Sequence, residues 1–429
     1  MILVVGVVLL SCLGGLAVTR DAPAAPAPAA VPTLCRNSNV HCGELAGPVR
    51  YAVIRAAGRS AGLVLVEAGG PGLNALDRLD RDTLGLPNTL SGYDLLLIDE
   101  PWVGRPAEPG CAGAVSAFVA TVLDPAAPAA PSVSAACSPA SWTAADYTAA
   151  LDGILTREGR TLTGIVGQSF GALPASAAAL RHPGAWLVLN APIAPPGTPG
   201  DTVLGDRTEA VRAALTSSYA TQCAALALDC ARTGPDVVAD AARRTTTRAV
   251  TGRSQPLTSG DVGVAALAAT YGLAANERWL WPTLSRFPDV SDDDALQLGR
   301  LSDQLLQRYG RGQVATDLAA FVTTTCRAYR GWSEPPGPTT MLTRIAGQCA
   351  RDPGTASGWA AAPRPSRTCV YGNETDPVAP GTWADGWAQR LGVPAAHYRH
   401  AGHASLATAV KLTPGGGCAA GVMATVPGP

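Results

Sequence analysis

The chain has few charged side chains for its length and almost no lysine. Charged residues make up 15% of the 429 positions, the formal net charge is −1, and Lys411 is the only lysine. A chain without a basic excess lacks the electrostatic attraction that draws proteins to nucleic acids or anionic membranes. Hydrophobic residues make up 47%, which is enough for a sizeable core in one large domain with an insertion, or in two domains.

Common cofactor and metal motifs are missing as well. The sequence has no P-loop and no dinucleotide-binding glycine fingerprint, and its cysteines and histidines do not follow metal-ligand spacing. We therefore expect a function that uses no cofactor, no metal ion and no nucleic acid. Internal repeats are also missing, so the sequence does not predict a repeat architecture.

The N-terminus is typical of an export segment. Residues 1–18 are apolar, short for a membrane span, and lack the usual basic start of a signal peptide. Leu9-Leu-Ser-Cys12 resembles a bacterial lipobox, although a leucine stands where a smaller residue is usual. We expect residues 1–20 to be an export or lipoprotein signal and residues 21–32 to be a Pro/Ala tether. The protein would then be bacterial and secreted, or held at the cell surface through a lipidated Cys12.

The number of cysteines supports export. Without Cys12, ten of the eleven cysteines remain, and an even set in an exported chain indicates disulfides. Proximity along the chain suggests the pairs Cys35–Cys42, Cys111–Cys137 and Cys223–Cys230. The alternative is a set of buried free thiols in a cytosolic protein, which the signal segment disfavours.

Strand and helix patterns alternate in the first half of the chain. Predicted strands cover residues 49–54, 61–67, 93–99, 163–167 and 186–190, and predicted helices cover residues 141–157 and 172–181. Ser141 or Thr143 could cap the first of these helices. Unbroken apolar runs such as residues 93–99 are typical of parallel strands that are covered on both faces.

The middle of the chain has a different character. Residues 196–345 show long helical patterns without a convincing strand, and strand patterns return at residues 367–371 and 396–400. We predict an α/β fold with a doubly wound, mostly parallel sheet over residues 33–195 and 346–429, interrupted by a helical insertion.

A candidate nucleophile lies between a predicted strand and a predicted helix. Gly167-Gln-Ser-Phe-Gly171 fits the pattern G-x-S-x-G. In such a turn the serine takes a strained backbone conformation that exposes its hydroxyl, and glycines avoid collision with the neighbouring strand and helix. Ser169 is therefore the candidate nucleophile, and the N–H of Phe170 can donate to a developing oxyanion.

A serine hydroxyl needs a base, and five histidines are available. His403 follows the last predicted strand in a glycine-containing loop, the kind of segment that carries catalytic residues. His400, which alternates with His397 on that strand, is the alternative. His182 ends the helix that follows the serine, and His41 lies within the first suggested disulfide loop.

An acid must orient the histidine. Asp376 follows the predicted strand over residues 367–371, so it would lie beyond the carboxyl end of a strand, where sites form in doubly wound sheets. Glu374 is the alternative acid. The chain order Ser169, Asp376, His403 is the order of the α/β-hydrolases.

A glycine-rich segment completes the predicted site. Ala68-Gly-Gly-Pro-Gly72 follows an early strand that should neighbour the strand before Ser169. Its glycines allow backbone N–H groups to approach a substrate closely. Gly70 and Phe170 would then form the oxyanion hole, whereas the alternative is an ordinary turn at the end of a strand.

Together these segments resemble the tripeptidyl aminopeptidase and proline iminopeptidase branch of the α/β-hydrolases. The resemblance covers about residues 49–416 and includes GGPG, GQSFGA, TDPVAP and HAGHAS. It implies a helical cap over residues 196–345 and hydrolysis of short units from a free peptide N-terminus through an acyl-enzyme on Ser169. It also implies disulfides, since exported members of the branch have them.

The chain departs from that branch at three places. Pro101 and Trp102 stand where the branch has arginine and glycine, and Glu67-Ala68 precedes the glycines where relatives have His or Asn-Pro. The segment after Cys326 lacks the acid that often pairs with the substrate ammonium. Glu277 and residues 292–294 are possible substitutes, although helix-end or surface charges are the simpler interpretation.

Three functions follow from these observations. The first is an exported serine exopeptidase acting on peptide N-termini, and the second is an esterase or other acyl hydrolase that uses the same three side chains on a small ester. The third is a non-catalytic binding protein of the cell surface. The sequence leaves the residue preference and the oligomeric state open.

Overall fold

The computed structural model describes residues 32–45, 49–80, 82, 84–100, 103, 109–124, 126–137, 142–306, 308–309, 313–314, 316–335, 340–352, 354, 356–360 and 367–423. The predicted signal with Cys12, the tether up to residue 31, and the departures Pro101 and Trp102 lie outside these residues. Within them, no helix is both long and apolar enough to pass through a bilayer.

An eight-stranded sheet forms the centre of the molecule. Its strands are Val40–Glu44 (β1), Arg50–Ile54 (β2), Leu63–Glu67 (β3), Asp94–Ile98 (β4), Leu162–Gln168 (β5), Trp186–Asn190 (β6), Thr368–Asn373 (β9) and Ala395–Tyr398 (β10). Their order is β1-β2-β4-β3-β5-β6-β9-β10. Only β2 is antiparallel to its neighbours, β1 and β4. The other neighbouring pairs run parallel, as predicted.

Fifteen α-helices accompany the sheet in the described part of the chain. Those outside the segment between β6 and β9 are Ala75–Arg78 (α1), Pro109–Leu123 (α2), Val133–Ala136 (α3), Ala144–Glu158 (α4), Ala172–Arg181 (α5), Gly381–Leu391 (α13), Leu406–Leu412 (α14) and Gly417–Met423 (α15). Between β6 and β9 lie Gly200–Gln222 (α6), Gly234–Arg244 (α7), Ser259–Tyr271 (α8), Leu273–Ser285 (α9), Asp292–Leu305 (α10), Thr316–Ala328 (α11) and Met341–Ala350 (α12). Thr143 caps α4, one of the two caps that the sequence suggested.

Alternate residues of the strands supply two cores, one on each face of the sheet. Leu63 and Leu65 of β3 pack with helices α4, α5 and α13, whereas Val64 and Val66 of the same strand pack with α14 and α15. Because successive side chains of a strand point to opposite faces, a strand covered on both sides must be apolar throughout. This arrangement explains the unbroken apolar runs and confirms the predicted doubly wound sheet.

The helical segment α6–α12 has a core of its own. Leu280, Trp281 and Leu284 of α9 are fully buried against side chains of α6, α7, α8 and α10. Helices α2 and α3 pack on α11 and α12. The segment also contains two two-residue strands that pair antiparallel, Arg308–Tyr309 (β7) and Gln313–Val314 (β8), so the prediction of no strand there was wrong.

Five disulfides join the ten described cysteines. The three suggested pairs, Cys35–Cys42, Cys111–Cys137 and Cys223–Cys230, are confirmed. Cys326–Cys349 connects α11 with α12, and Cys369–Cys418 connects β9 with α15. Disulfides persist in oxidising compartments, so these bonds are consistent with a location outside the cytoplasm.

Candidate active site

The chain turns sharply at Ser169. Strand β5 ends at Gln168, a short 3-10 turn covers Ser169–Gly171, and α5 begins at the next residue. The φ angle of Ser169 is 53°, in the left-handed region that non-glycine residues rarely adopt. A strained residue between a strand and a helix is the geometry that exposes a nucleophilic hydroxyl.

Glycines on both sides of Ser169 make this turn possible. A Cβ atom on Gly167 would lie 2.7 Å from the Cβ of Ala175 in α5, and one on Gly171 would lie 2.2 Å from the carbonyl oxygen of Glu67 in β3. Real Cβ atoms do not approach other atoms that closely, so both positions exclude larger residues. The prediction that larger residues at these two positions would collide with the neighbouring helix and strand is confirmed.

Asp376 and His403 form a hydrogen-bonded pair beyond the ends of β9 and β10. The Oδ2 atom of Asp376 lies 2.8 Å from Nδ1 of His403. Its Oδ1 atom accepts from the N–H groups of Val378 and Ala379, and Asp376 is only 2% exposed. Because an ionised carboxylate only accepts, Nδ1 carries the proton, and Nε2 is left to accept one.

The loop that carries His403 is held against the helical segment. The N–H of His403 donates to the carbonyl of Tyr271 at the end of α8, with an N···O distance of 2.8 Å, and the two rings pack edge to face. Gly402 has a φ of 101°, and a Cβ there would lie 2.7 Å from the same carbonyl. A close backbone contact with α8 thus fixes where His403 lies.

The other candidate residues have different surroundings. Strand β10 ends at Tyr398, so His400 lies beyond the strand on which the sequence placed it, and burial lowers the pKa of its imidazole although Asp376 opposes that shift. Glu374, the alternative acid, pairs with Arg399 at the surface.

The remaining three histidines are also engaged elsewhere. Each lies within reach of one carboxylate, Glu158 for His41, Asp152 for His182 and Asp385 for His397.

Ser169 and His403 line one cavity of ≈ 170 Å³ together with Gly70 and Phe170. The loop of Gly70 approaches the nucleophile turn closely, since a Cβ on the preceding Gly69 would lie 2.6 Å from the carbonyl oxygen of Gln168. The rest of the lining is mostly apolar or aromatic and comprises Ala68, Pro71, Ile193, Val203, Arg207, Tyr271, Phe321, Thr325, Tyr329, Val378 and Trp383. Every predicted site residue except the buried Asp376 therefore faces this cavity.

No carboxylate occurs among the described lining residues of this cavity. Glu277, one of the possible ammonium partners, instead accepts from Ser218 and Gln222 of α6 and lines a second cleft of ≈ 830 Å³, which Asp376 also lines. Asp292 and Asp294 lie in the first turn of α10, where they pair with Arg248 and Arg286. Asp292 and Asp294 are therefore helix-end charges, whereas Glu277 is half-buried and lies in the second turn of α9.

Two functional candidates escaped the sequence analysis. Arg207 of α6 is the arginine in the cavity lining, and nothing in the helical pattern distinguishes it from the other arginines of the segment. Glu67, at the end of β3, accepts from the hydroxyl of Tyr147 at 2.5 Å. Burial raises the pKa of the Glu67 carboxyl to about 8, the Tyr147 hydrogen bond partly opposes the shift, and Glu100 adds to it.

Comparisons with known proteins give structural matches alone. Neither a protein-family model nor a curated protein sequence matches the chain. An α/β hydrolase fold protein from Nakamurella multipartita is 15% identical, over 90% of this chain and 98% of that one, with a TM-score of 0.35. A hydrolase from Pseudomonas aeruginosa is 13% identical, over 91% and 99%, with a TM-score of 0.40. A proline iminopeptidase-related protein from Thermus thermophilus is 16% identical, over 87% and 94%, with a TM-score of 0.39.

These TM-scores are all below 0.5, so the fold assignment rests on the molecule itself. The strand order is that of a doubly wound sheet with one antiparallel strand near its edge, and the sharp turn at Ser169 follows the central strand β5. Asp376 and His403 come later in the chain, beyond the ends of β9 and β10, in the order of the α/β-hydrolases. The chain therefore has the α/β-hydrolase fold.

Proposed function

We propose that this chain is a serine hydrolase that works through an acyl-enzyme on Ser169. The observation that supports it best is the 2.8 Å hydrogen bond between Asp376 and His403, whose imidazole faces the cavity that Ser169 also lines. Acyl transfer needs a nucleophilic hydroxyl, an imidazole that takes its proton, and a buried carboxylate that orients the imidazole.

In the proposed reaction, Nε2 of His403 takes the hydroxyl proton while Oγ of Ser169 bonds to the carbonyl carbon of the substrate. The N–H groups of Gly70 and Phe170 stabilise the negative oxygen that forms. Asp376 holds the imidazole in the required tautomer, and His403 then gives its proton to the departing alcohol or amine. Water attacks the acyl-enzyme by the same steps in the second half.

The lining of the cavity bears on the substrate. An aminopeptidase needs a carboxylate to pair with the substrate ammonium, and the described lining offers Arg207 and no carboxylate. This favours an ester or acyl substrate without a free ammonium over the N-terminal exopeptidase that the family resemblance implies. The exopeptidase remains the second candidate, since both use the same chemistry.

We also propose that the protein is exported, because its five disulfides require oxidising surroundings. Export directed by the predicted signal over residues 1–20 would place the disulfides in such surroundings. Incorporation of labelled palmitate that is lost in Cys12→Ala would identify the surface lipoprotein, and release of the unlabelled protein to the medium would identify the secreted form.

The decisive experiment is labelling by a fluorophosphonate, which reacts with activated serine hydroxyls. We expect labelling of the native protein, none in Ser169→Ala, and full labelling in the control Ser217→Ala, which removes an exposed hydroxyl of α6. Turnover of the best substrate should fall by about 10⁴- to 10⁶-fold in Ser169→Ala. Equal labelling of the native and Ser169→Ala proteins would refute the proposal and favour a binding protein.

A substrate panel separates the two candidate substrates. Short-chain esters are compared with aminoacyl and peptidyl anilides, each with a free and with an acetylated N-terminus. We expect turnover of esters and no benefit from a free ammonium. A loss of turnover on acetylation would instead establish the aminopeptidase.

A further inference from the structure

Arg207 is a cation in an otherwise uncharged part of the candidate active site. It lies on α6, in the second turn after the helix begins at Gly200, and its side chain lines the cavity that Ser169 and His403 share. The Nε atom is buried and has no hydrogen-bond partner among the described residues. The Nη2 atom donates to the hydroxyl of Tyr271 at 2.7 Å.

No carboxylate balances this charge in the described part of the chain, where no ion pair includes Arg207. Other arginines of the helical segment have partners, such as Arg212 with Glu209 and Arg253 with Asp261. The neighbouring Asp206 accepts from the indole N–H of Trp383 instead. A guanidinium that is partly removed from water without a counter-ion is destabilising, so such a position calls for a ligand that supplies the charge.

Tyr271 contacts both Arg207 and His403. Its hydroxyl accepts from Arg207, its ring packs against the His403 ring with 6.1 Å between centroids, and its carbonyl accepts from the His403 N–H. Since the Tyr271 hydroxyl is used as an acceptor, its own proton can be donated to a bound anion. Arg207 and Tyr271 together thus offer donors beside the histidine.

We infer that Arg207 binds a carboxylate of the substrate, so that the enzyme selects small acyl compounds carrying one carboxylate near the scissile carbonyl. This rests on the proposed hydrolase function. A guanidinium matches the planar, two-oxygen geometry of a carboxylate, and one cation balances one negative charge, which a dianionic phosphate would exceed.

The size and surface of the cavity restrict the rest of the substrate. Its ≈ 170 Å³ is below the roughly 300–1,000 Å³ of typical small-molecule sites. Ile193, Val203, Phe321 and Val378 supply apolar surface to the cavity that Arg207 and Ser169 also line. A short methylene chain joining a carboxylate to an ester or amide carbonyl fits this combination.

The test compares esters that differ only in the carboxylate. Monomethyl glutarate is compared with methyl pentanoate, and 3-acetoxypropanoate with propyl acetate, so the carboxylate is carried once on the acyl part and once on the alcohol. For at least one pair we expect kcat/KM to be about 10- to 100-fold higher for the carboxylate ester, the range of a charge-assisted hydrogen bond.

Three variants of Arg207 test the origin of this preference. Arg207→Met should abolish it, and Arg207→Lys should keep part of it. Arg207→Glu should reverse it, so that the cationic ester methyl 5-aminopentanoate is preferred.

Arg212→Met is the matched control, because Arg212 lies on the same helix with its side chain exposed and paired with Glu209. It should retain the native preference. Binding of monomethyl glutarate to the Ser169→Ala protein, measured by calorimetry, should also require Arg207, which tests the inference without turnover. Equal kcat/KM within both pairs, or a preference that survives Arg207→Met in a folded protein, overturns it while leaving fluorophosphonate labelling of Ser169 intact.

Discussion

Glu67 is a carboxylic acid whose surroundings favour its neutral form. Its side chain ends at a small cavity beside Tyr147 and Glu100, directly before the glycines that approach Ser169. Burial disfavours the charged form, and the nearby Glu100 carboxylate adds repulsion, so the pKa of Glu67 rises from 4.5 to about 8. A raised carboxyl pKa makes the stability of the fold depend on pH.

The sign of that dependence follows from proton counting. Between pH 4.5 and about 8 the unfolded state has lost the Glu67 proton while the folded state keeps it. Glu67 should therefore lower the free energy of unfolding as pH rises through this window, by at most about 1.4 kcal/mol per pH unit. Glu67→Gln should flatten the dependence and be more stable relative to the native protein at pH 8 than at pH 5.

Chemical unfolding of both proteins at pH 5, 6.5 and 8 measures this effect. The difference between them isolates Glu67, because the half-buried His182 and His400 titrate in both proteins. The amide of the variant can still accept from Tyr147, so the hydrogen bond is retained. A difference that stays constant from pH 5 to 8 would mean that Glu67 is ionised throughout in the folded protein.

Single residues of the candidate site differ in how far the sequence reveals them. Ser169, Asp376 and His403 could be proposed because each follows a recognisable strand and lies within two residues of a turn-forming glycine or proline. Arg207 could not, because its position in the cavity depends on how α6 packs over the sheet. No local pattern records such a long-range contact.

At the scale of elements, the turn from β5 to α5 depends on glycine more than on the serine itself. Gly171→Ala would set a Cβ 2.2 Å from the Glu67 carbonyl oxygen, and a backbone atom cannot move aside as a flexible side chain can. We expect Gly171→Ala to lower the free energy of unfolding by about 2–4 kcal/mol and to reduce fluorophosphonate labelling.

Gly113→Ala provides the opposite control. Gly113 lies within α2, and a Cβ there would meet no atom within 4 Å. Alanine favours a helix over glycine, so this change should raise the free energy of unfolding by about 0.5–1 kcal/mol. Thermal unfolding of the two variants measures both effects, and a Gly171→Ala protein as stable as the native one would contradict the packing argument.

The strands with long apolar runs, such as β3, β4 and β6, were predicted because burial on both faces leaves a continuous signal. Strand β1 was missed. Val40–Glu44 has a single large apolar residue, and it is a strand because it pairs with β2 at the edge of the sheet. Pairing with a neighbour outweighed the weak local preference of this segment.

At the scale of the whole molecule, the helical segment α6–α12 and the sheet meet around the cavity. His403, from the sheet side, is held by Tyr271 of α8, and Trp383 of α13 donates its indole N–H to Asp206 of α6 at 2.8 Å. These contacts hold the helical segment α6–α12, which supplies Arg207 and Tyr271 to the cavity lining, against the part of the molecule that carries Ser169. Weakening them should change substrate binding more than the reaction itself.

Asp206→Ala tests this expectation. Loss of a hydrogen bond to a charged acceptor corresponds to about 1.5–3 kcal/mol. We expect KM for the best ester to rise by about 10-fold, with kcat within about threefold of the native value. Steady-state kinetics of Asp206→Ala measure both.

Two further variants serve as controls for Asp206→Ala. Asp206→Asn keeps an acceptor for Trp383 and should resemble the native protein, which separates the hydrogen bond from the charge. Asp201→Ala breaks a contact with Ser333 that stays within the helical segment, so KM should not change. A similar rise of KM in Asp201→Ala would show that general loosening of the helices, and not their contact with the sheet, is responsible.

The five disulfides have a practical consequence for engineering. Cys223–Cys230 and Cys326–Cys349 are closed within α6–α12 and the loops between these helices, and Cys35–Cys42 and Cys369–Cys418 are closed on the sheet side. Cys111–Cys137 joins α2 to the end of α3. None of the described bridges crosses from α6–α12 to a strand of the sheet. The helical segment α6–α12 can therefore be exchanged as one unit, by recombination at its two chain ends, without changing which of the described cysteines pair with each other.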